Sequence, residues 1–201
     1  MAQDSSLPEF WETRYRGAVT PWDAGRSPAD LQRFAAGYGG HQRALIPGCG
    51  SAYEARLLAE LGWSVTAIDF SAAALAAARR TLGPFADCAV EADFFRFDAG
   101  APWPVVYERA FLCALPRRMW PAYADRVAQL LAPGGLLAGY FYFDDNLRGP
   151  PFGAAPQELA ELLDANFELV EDRPVADSLL VFQGKERWQE WRRRGSVTGD
   201  G

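Results

Sequence analysis

The sequence predicts an α/β protein built on a doubly wound, mostly parallel sheet, and three observations carry that reading. Residues 44–46 are a short apolar run that breaks at Pro47 into the turn Gly48-Cys49-Gly50, and a helical pattern at 54–61 follows and stops at Gly62. A second strand-like run at 63–69 ends in a carboxylate, Asp69, about 20 residues past the turn, where nucleotide-binding βαβ units place the group that meets a ribose. Downstream, strand-like and helix-like segments alternate, as crossover-linked parallel strands require. A residue without Cβ lets backbone approach a ligand closely, so Gly48, Gly50 and Asp69 together point to a site for an adenosine-bearing molecule.

Before the sheet, residues 10–17 predict a short helix with Trp11 and Tyr15 on one face at i, i+4. Thr20-Pro21-Trp22-Asp23-Ala24-Gly25 is a turn, and Ser27-Pro28 starts a helix over 29–36. These rings either pin an N-terminal arm to the body or form a lid over the ligand, where they also suit a cation. Ser71 caps an alanine-rich helix over 72–80. A third strand, 87–92, runs into Asp93-Phe94-Phe95, an acid followed by rings able to sandwich a base. In the strand expected at 105–113, Glu108 and Arg109 are neighbours and point to opposite faces, so at least one reaches the ligand crevice.

The helix expected at 119–132 carries Tyr123, Val127, Leu130 and Leu131 on an apolar stripe. The strand at 136–143 is apolar and aromatic throughout, as a central strand buried on both faces would be. A polar loop leads to a helix over 156–166, and runs at 167–173 and 178–183 predict an antiparallel pair that brings the sheet to seven strands. Residues 185–194 predict a basic terminal helix, either folded back with Trp188 and Trp191 buried or offered to a partner; residues 195–201 should fray.

The 201 residues suit one domain, large enough to bury roughly 70% of its unfolded surface. Within it we distinguish an arm (1–40), a core (41–183) and a tail (184–201). A net charge of -6 argues against nucleic acid as a partner. No apolar run approaches the ~20 residues of a membrane span. The opening Met-Ala-Gln-Asp-Ser-Ser has neither a basic region nor an apolar core, so we expect a cytoplasmic protein, and nothing demands more than a monomer. Cys49, Cys88 and Cys113 are odd in number and lack ligand spacing, which predicts reduced thiols and no metal.

Two scarcities bear on mechanism. The single histidine, His41, precedes the first strand, at the end of the sheet opposite to where such folds bind ligands. The single lysine, Lys185, lies in the tail. A histidine-paired nucleophile is therefore not expected. Asp23, Asp93, Glu108 and Asp144 are the carboxylates that could act as a base, each only with a large upward shift.

The nucleotide is not expected to be a dinucleotide. Tyr53 fills the slot of the third glycine, and Glu54 sits at the helix start where a pyrophosphate would want no acid. S-adenosylmethionine has no phosphate and carries a sulfonium charge, so it suits acids and rings. An NAD-dependent oxidoreductase remains an alternative, separated by NAD binding. A non-catalytic cofactor-binding module is another, separated by turnover.

At these residues the sequence resembles the thiopurine S-methyltransferase family, which includes plant thiol and halide methyltransferases. The resemblance rests on Phe10-Trp11-Glu12-x-x-Tyr15, Thr20-Pro21-Trp22-Asp23-x-Gly25, Leu45-Ile46-Pro47-Gly48-Cys49-Gly50 and Ile68-Asp69-Phe70-Ser71. It continues through Asp93-Phe94-Phe95, 109–115, Leu131-Ala132-Pro133-Gly134-Gly135 and Gly149-Pro150-Pro151-Phe152. It implies a seven-stranded Rossmann-like fold whose final strand is antiparallel, with S-adenosyl-L-methionine as cofactor. Trp11, Trp22, Gly48, Gly50, Asp69, Phe70, Asp93, Phe94 and Arg109 would contact the cofactor. Tyr15, Phe111 and Phe152 would face the acceptor. The implied reaction is methyl transfer to a small soft nucleophile such as a thiol, thiopurine, selenium compound or halide. Tyr15, where a tryptophan is frequent, and Asp69, where thiopurine enzymes carry glutamate, mix the subgroups and leave the acceptor open.

Overall fold

A computed structural model describes residues 4–38 and 41–195. Seven strands form one sheet in the order β3-β2-β1-β4-β5-β7-β6. They are β1 (Arg43–Pro47), β2 (Ser64–Asp69), β3 (Ala89–Glu91), β4 (Trp103–Arg109), β5 (Leu131–Tyr142), β6 (Phe167–Pro174) and β7 (Glu186–Arg193). Pairings among β1 to β5 are parallel, whereas β7 runs antiparallel to both of its neighbours. Among the sheet's strands, only the final one is reversed.

The helices are α1 (Pro8–Arg16), α2 (Ala29–Tyr38), α3 (Tyr53–Glu60), α4 (Ala72–Leu82), α5 (Trp120–Leu130) and α6 (Pro156–Leu163). Leu31 and Phe34 of α2, Leu58 of α3 and Leu75 of α4 bury against one sheet face together with Val105, Tyr107 and Trp188. Tyr123 and Val127 of α5 and Leu159 of α6 bury against the other face with Val106, Leu137 and Trp191. Alternate residues of a strand point to opposite faces, which is how one β4 strand feeds both cores. The strand order reverses between β1 and β4, and α/β sheets bind ligands outside the carboxyl ends of strands at such a point.

After α6 the chain departs from the sequence-based expectation in two places, and before it β5 begins at Leu131, within the helix expected to run to 132. Residues 178–183 form turns rather than a strand, with Leu180 and Val181 exposed and Phe182 packed on the Tyr142 ring. The partner of β6 is instead 186–193, which was expected to be helical. Trp188 and Trp191 lie three apart, a spacing that shares one face of a helix but splits across the two faces of a strand. Here each tryptophan fills a different core. The basic character of the segment is absorbed locally: Arg187 pairs with Asp172 at 2.6 Å, and Arg193 donates to the Leu131 carbonyl at 2.5 Å. The residues expected to fray, from 196 on, lie outside those described.

Strand β4 ends at Arg109, four residues earlier than expected. Ala110 turns left-handed (φ 56), and Glu108 Oε1 accepts the backbone N–H groups of Phe111 (2.8 Å) and Leu112 (3.0 Å). That carboxylate converts the strand end into a turn and sends Phe111 back toward the ligand crevice.

Candidate active site

Alternate residues of the turn between β1 and α3 are left-handed: Gly48 (φ 58), Gly50 (φ 52) and Ala52 (φ 59). The alanine makes the turn strained, since a Cβ disfavours this region by roughly 1–2 kcal/mol. The Cys49 N–H donates to Ile68 O at 3.0 Å and the Ala52 N–H to Cys49 O at 2.8 Å, fixing the turn beside the end of β2. A Cβ on Gly48 would collide with the Phe111 ring, and one on Gly50 with the Tyr15 hydroxyl. The glycines thus make room for the protein's own side chains as well as for a ligand.

Asp69 closes β2 directly beneath this turn. Its Oδ2 accepts Gly50 N–H at 3.1 Å and its Oδ1 accepts Ser71 N–H at 2.9 Å. Burial pushes the carboxyl up to about 6, against the pull of the N–H groups of Ser71, Gly50 and Phe70. A carboxylate has about four lone-pair sites, so these backbone donors still leave it able to accept from a ligand.

The arm covers this end of the sheet. Glu12, inside α1, accepts the Ser71 hydroxyl (3.0 Å) and the Ala73 N–H (2.8 Å), so it binds the N-terminus of α4, where an acid is favoured. Trp22 Nε1 donates to the Tyr15 hydroxyl at 3.4 Å, and the Trp11 and Trp22 rings meet edge to face at 5.4 Å. Ser51 donates to the Asp23 carboxylate, tying the arm to the glycine turn as well.

On the far wall Arg109 lies against Glu54 (3.3 Å) and over the Tyr140 ring (4.8 Å). Burial works against the guanidinium charge, but Tyr107, Glu54 and Glu186 around it hold its affinity for the proton above the ordinary value. Glu108 points the opposite way, buried, with Tyr123 Oη donating to its Oε2 at 2.7 Å. One of the two adjacent charges therefore reaches the crevice and the other shapes the turn beside it.

These elements enclose a cavity of about 390 Å³, within the usual range for small-molecule sites. Trp11, Tyr15, Trp22, Gly48, Gly50, Asp69, Phe70, Asp93, Phe94, Arg109 and Phe111 all line it. Asp93 stands at the rim, its Oδ1 accepting the Phe95 N–H at 2.9 Å. Phe94 is almost wholly buried against the rings of Phe111 and Tyr123. Phe152 does not line the cavity. Its N–H donates to Cys113 O at 2.7 Å, its ring folds over Gly149 and packs on the α5 side, and its neighbours Pro150 and Pro151 line the cavity instead.

Of the carboxylates expected as possible bases, Glu108 is occupied by three donors and Asp23 by Ser51. Asp93 is half exposed, and donors from Lys185 and Tyr142 hold Asp144 well below the usual carboxylate range. Glu54, Tyr107, Phe182 and the α4-binding Glu12 belong to the site without having been predicted there. Tyr107 had a signal, since it sits two residues before Arg109 and therefore on the same strand face.

Comparison with known proteins agrees with this geometry. The family model described as Thiopurine S-methyltransferase (TPMT) matches residues 6–194. The chain belongs to the thiopurine S-methyltransferase family. Thiocyanate methyltransferase 1 of Arabidopsis thaliana is 29% identical over 195 residues, covering 91% of this chain and 84% of that one. The thiopurine S-methyltransferase of Vibrio campbellii is 45% identical over 62 residues, 30% of this chain and 29% of the relative. In fold, the chain is similar to magnesium protoporphyrin IX methyltransferase from Synechocystis, solved with bound S-adenosylmethionine. The TM-score is 0.73 at 13% identity, over 96% of this chain and 98% of that one.

As a member of this family the protein is an S-adenosylmethionine-dependent methyltransferase with a class I fold. The site fits that cofactor: a carboxylate with free lone pairs closes β2, a left-handed glycine turn lies above it, and aromatic rings wall a cavity of suitable size. Among the described residues no cluster of His, Cys, Asp and Glu could hold a metal, and no helix is long and apolar enough to cross a membrane.

Proposed function

We propose that this methyltransferase transfers the methyl group to the sulfur of small thiols. S-adenosylmethionine supplies an electrophilic methyl group on a sulfonium centre. Asp69 takes the ribose hydroxyls, Asp93 and Phe94 hold the adenine, with Phe70 beside it, and the turn at Gly48 and Gly50 meets the methionine end. Trp11, Tyr15 and Trp22 close over the cofactor and exclude water, which strengthens every electrostatic interaction inside. Phe111 and Arg109 face the acceptor. The chain's contribution to rate is alignment in a dry pocket, an effect that can supply roughly 7–11 kcal/mol of the barrier.

The observation that carries the acceptor class is the chemistry lining the cavity: carboxylates, rings and arginine, with neither histidine nor lysine. Such a wall contains no strong base for an alcohol, whereas a thiol ionises near neutrality. The named sulfur chemistry of the thiocyanate and thiopurine relatives supports the same class. We read the protein as a cytosolic monomer, in keeping with its unpaired cysteines. The test is a panel of thiols, thiocyanate, iodide, alcohols and amines incubated with labelled cofactor. Thiols are expected to accept the label and alcohols not to. Preferential methylation of alcohols or amines would overturn the assignment.

A further inference from the structure

Arg109 pairs with one carboxylate and lies in the field of a second. Glu54 lies on its cavity side, with the ion pair at 3.3 Å and Glu54 only 17% exposed. Glu186 of β7 is registered against Tyr142, two residues along β5 from the Tyr140 that pairs with Arg109, and its charge acts on Arg109 together with that of Glu54. The trio carries one negative charge too many for a buried site, so a single added proton makes it neutral. A second observation marks the same spot as receptive to a ligand. The Tyr107 hydroxyl, on a side chain 1% exposed that lines the cavity, has no hydrogen-bond partner.

We propose that Glu54 is the proton acceptor for the thiol, and that Arg109 with Glu186 forms the counter-pair that keeps the protonated state neutral. The inference rests on the thiol reading above. The acceptor's S–H bond breaks, its electron pair stays on sulfur, and the proton goes to a Glu54 oxygen. The sulfur pair then forms the new S–CH3 bond as the carbon–sulfonium bond breaks and leaves its pair on the departing thioether. Glu54 afterwards returns the proton to water at the cavity mouth. Arg109 and Tyr107 face Glu54 from β4, Asp23 from the arm and Cys49 from the glycine turn, while Tyr140 and Glu186 face Arg109. Burial raises the Glu54 carboxyl against the pull of Arg109. A weak base of this kind matches a thiol and not an alcohol.

The test compares wild type with Glu54→Gln on an alkyl thiol and on an aryl thiol already ionised at the assay pH. The loss in kcat/KM is expected to be at least about tenfold larger for the alkyl thiol, within the range of general-base effects. With cofactor held saturating at every pH, the wild-type profile should show an acid limb whose position does not follow the thiol, absent in Glu54→Gln and restored in Glu54→Asp. Infrared difference spectra of the S-adenosylhomocysteine complex, wild type minus Glu54→Gln, should show a protonated-carboxyl band titrating with that limb. Glu186→Gln leaves Arg109 to Glu54 alone and should move the limb to lower pH, which keeps the inference testable if Glu54→Gln does not fold.

Equal losses on both thiols, or a limb that persists in Glu54→Gln, would overturn the proposal. So would a tenfold loss of S-adenosylhomocysteine affinity in Glu54→Gln, because Glu54 would then be a cofactor ligand. If wild type fails to bind S-adenosylhomocysteine at all, the cofactor reading itself is overturned, a different result from any of these.

Discussion

Asp69 is a charge that burial disfavours and a bound ribose would favour. Its carboxyl is raised from 3.8 to about 6, chiefly by burial. Ribose hydroxyls donate only to the ionised form usefully, so binding must expel the proton wherever Asp69 carries one. The sign follows: cofactor affinity is full above about pH 6 and falls below it, by at most about tenfold per pH unit for one proton. Titration calorimetry of S-adenosylhomocysteine from pH 5 to 8 checks this, and proton release on binding should grow toward the acid end. Asp69→Ala should cost about 2–4 kcal/mol of affinity, from charge-assisted bonds lost and hydroxyls left unpaired. The pH dependence should disappear with it; an unchanged affinity would remove Asp69 from the ribose. Asp69 was legible from sequence because one strand, one turn and one spacing determine its place. Arg109 was legible for a similar reason, as a charge in a buried strand. Glu54 was visible only as an obstacle to pyrophosphate, since its role depends on Arg109, 55 residues away. Phe152 was misplaced because a matching motif does not say which way a loop ring turns, and the Cys113 carbonyl decides that here.

At the scale of elements, α1 and β7 are the two pieces that make the site possible from outside the βαβ core. The Glu12 carboxylate spans from α1 to the N-terminus of α4 and touches Ser71, whose N–H holds Asp69. Glu12→Ala should therefore speed hydrogen exchange across 8–25 and weaken S-adenosylhomocysteine binding, with a stability cost of about 1–2 kcal/mol, as for a lost helix cap. In wild type, added S-adenosylhomocysteine should slow exchange in the same segment; full protection before ligand is added would make it a fixed arm rather than a lid. For β7, Trp188→Ala and Trp191→Ala should each cost about 3–5 kcal/mol in denaturant unfolding, because each ring fills a separate core. A large cost at one position and none at the other would contradict a strand buried on both faces. The strand was misread because arginines and tryptophans at 3-residue spacing imitate an amphipathic helix. Its true character depends on β6 and β5 flanking it, information that no local window contains. The glycine turn, β2 and α4 were readable since their apolar periods, caps and breakers lie within or beside their own residues, whereas the end of α5 was overrun because Leu131 fits a helix stripe as well as the strand it opens.

For the whole molecule, ligand binding and folding should be one equilibrium. The cavity is lined by the arm, the carboxyl ends of β1, β2 and β4, and the loops around Pro150 and Phe182, so it exists only when all of them are in place. An unfolded chain offers none of that surface, and a ligand binding only the folded state stabilises it by about 2.7 kcal/mol at a hundredfold excess over Kd. For a chain of 201 residues, each kcal/mol shifts Tm by about 2–4 °C. S-adenosylhomocysteine at that excess should therefore raise Tm by roughly 5–10 °C, and the shift should grow with the logarithm of its concentration. Because β7 locks β6 to β5 across the sheet and Glu12 locks the arm to α4, the transition should remain single with ligand and without it. NAD should give no shift: Glu54 occupies the start of α3, where a pyrophosphate needs unopposed N–H groups, and it is already committed to Arg109. An equal shift from NAD would contradict the cofactor assignment. Two separated transitions, with only the first moving on addition of ligand, would show that the arm unfolds independently and that the site is assembled in two stages.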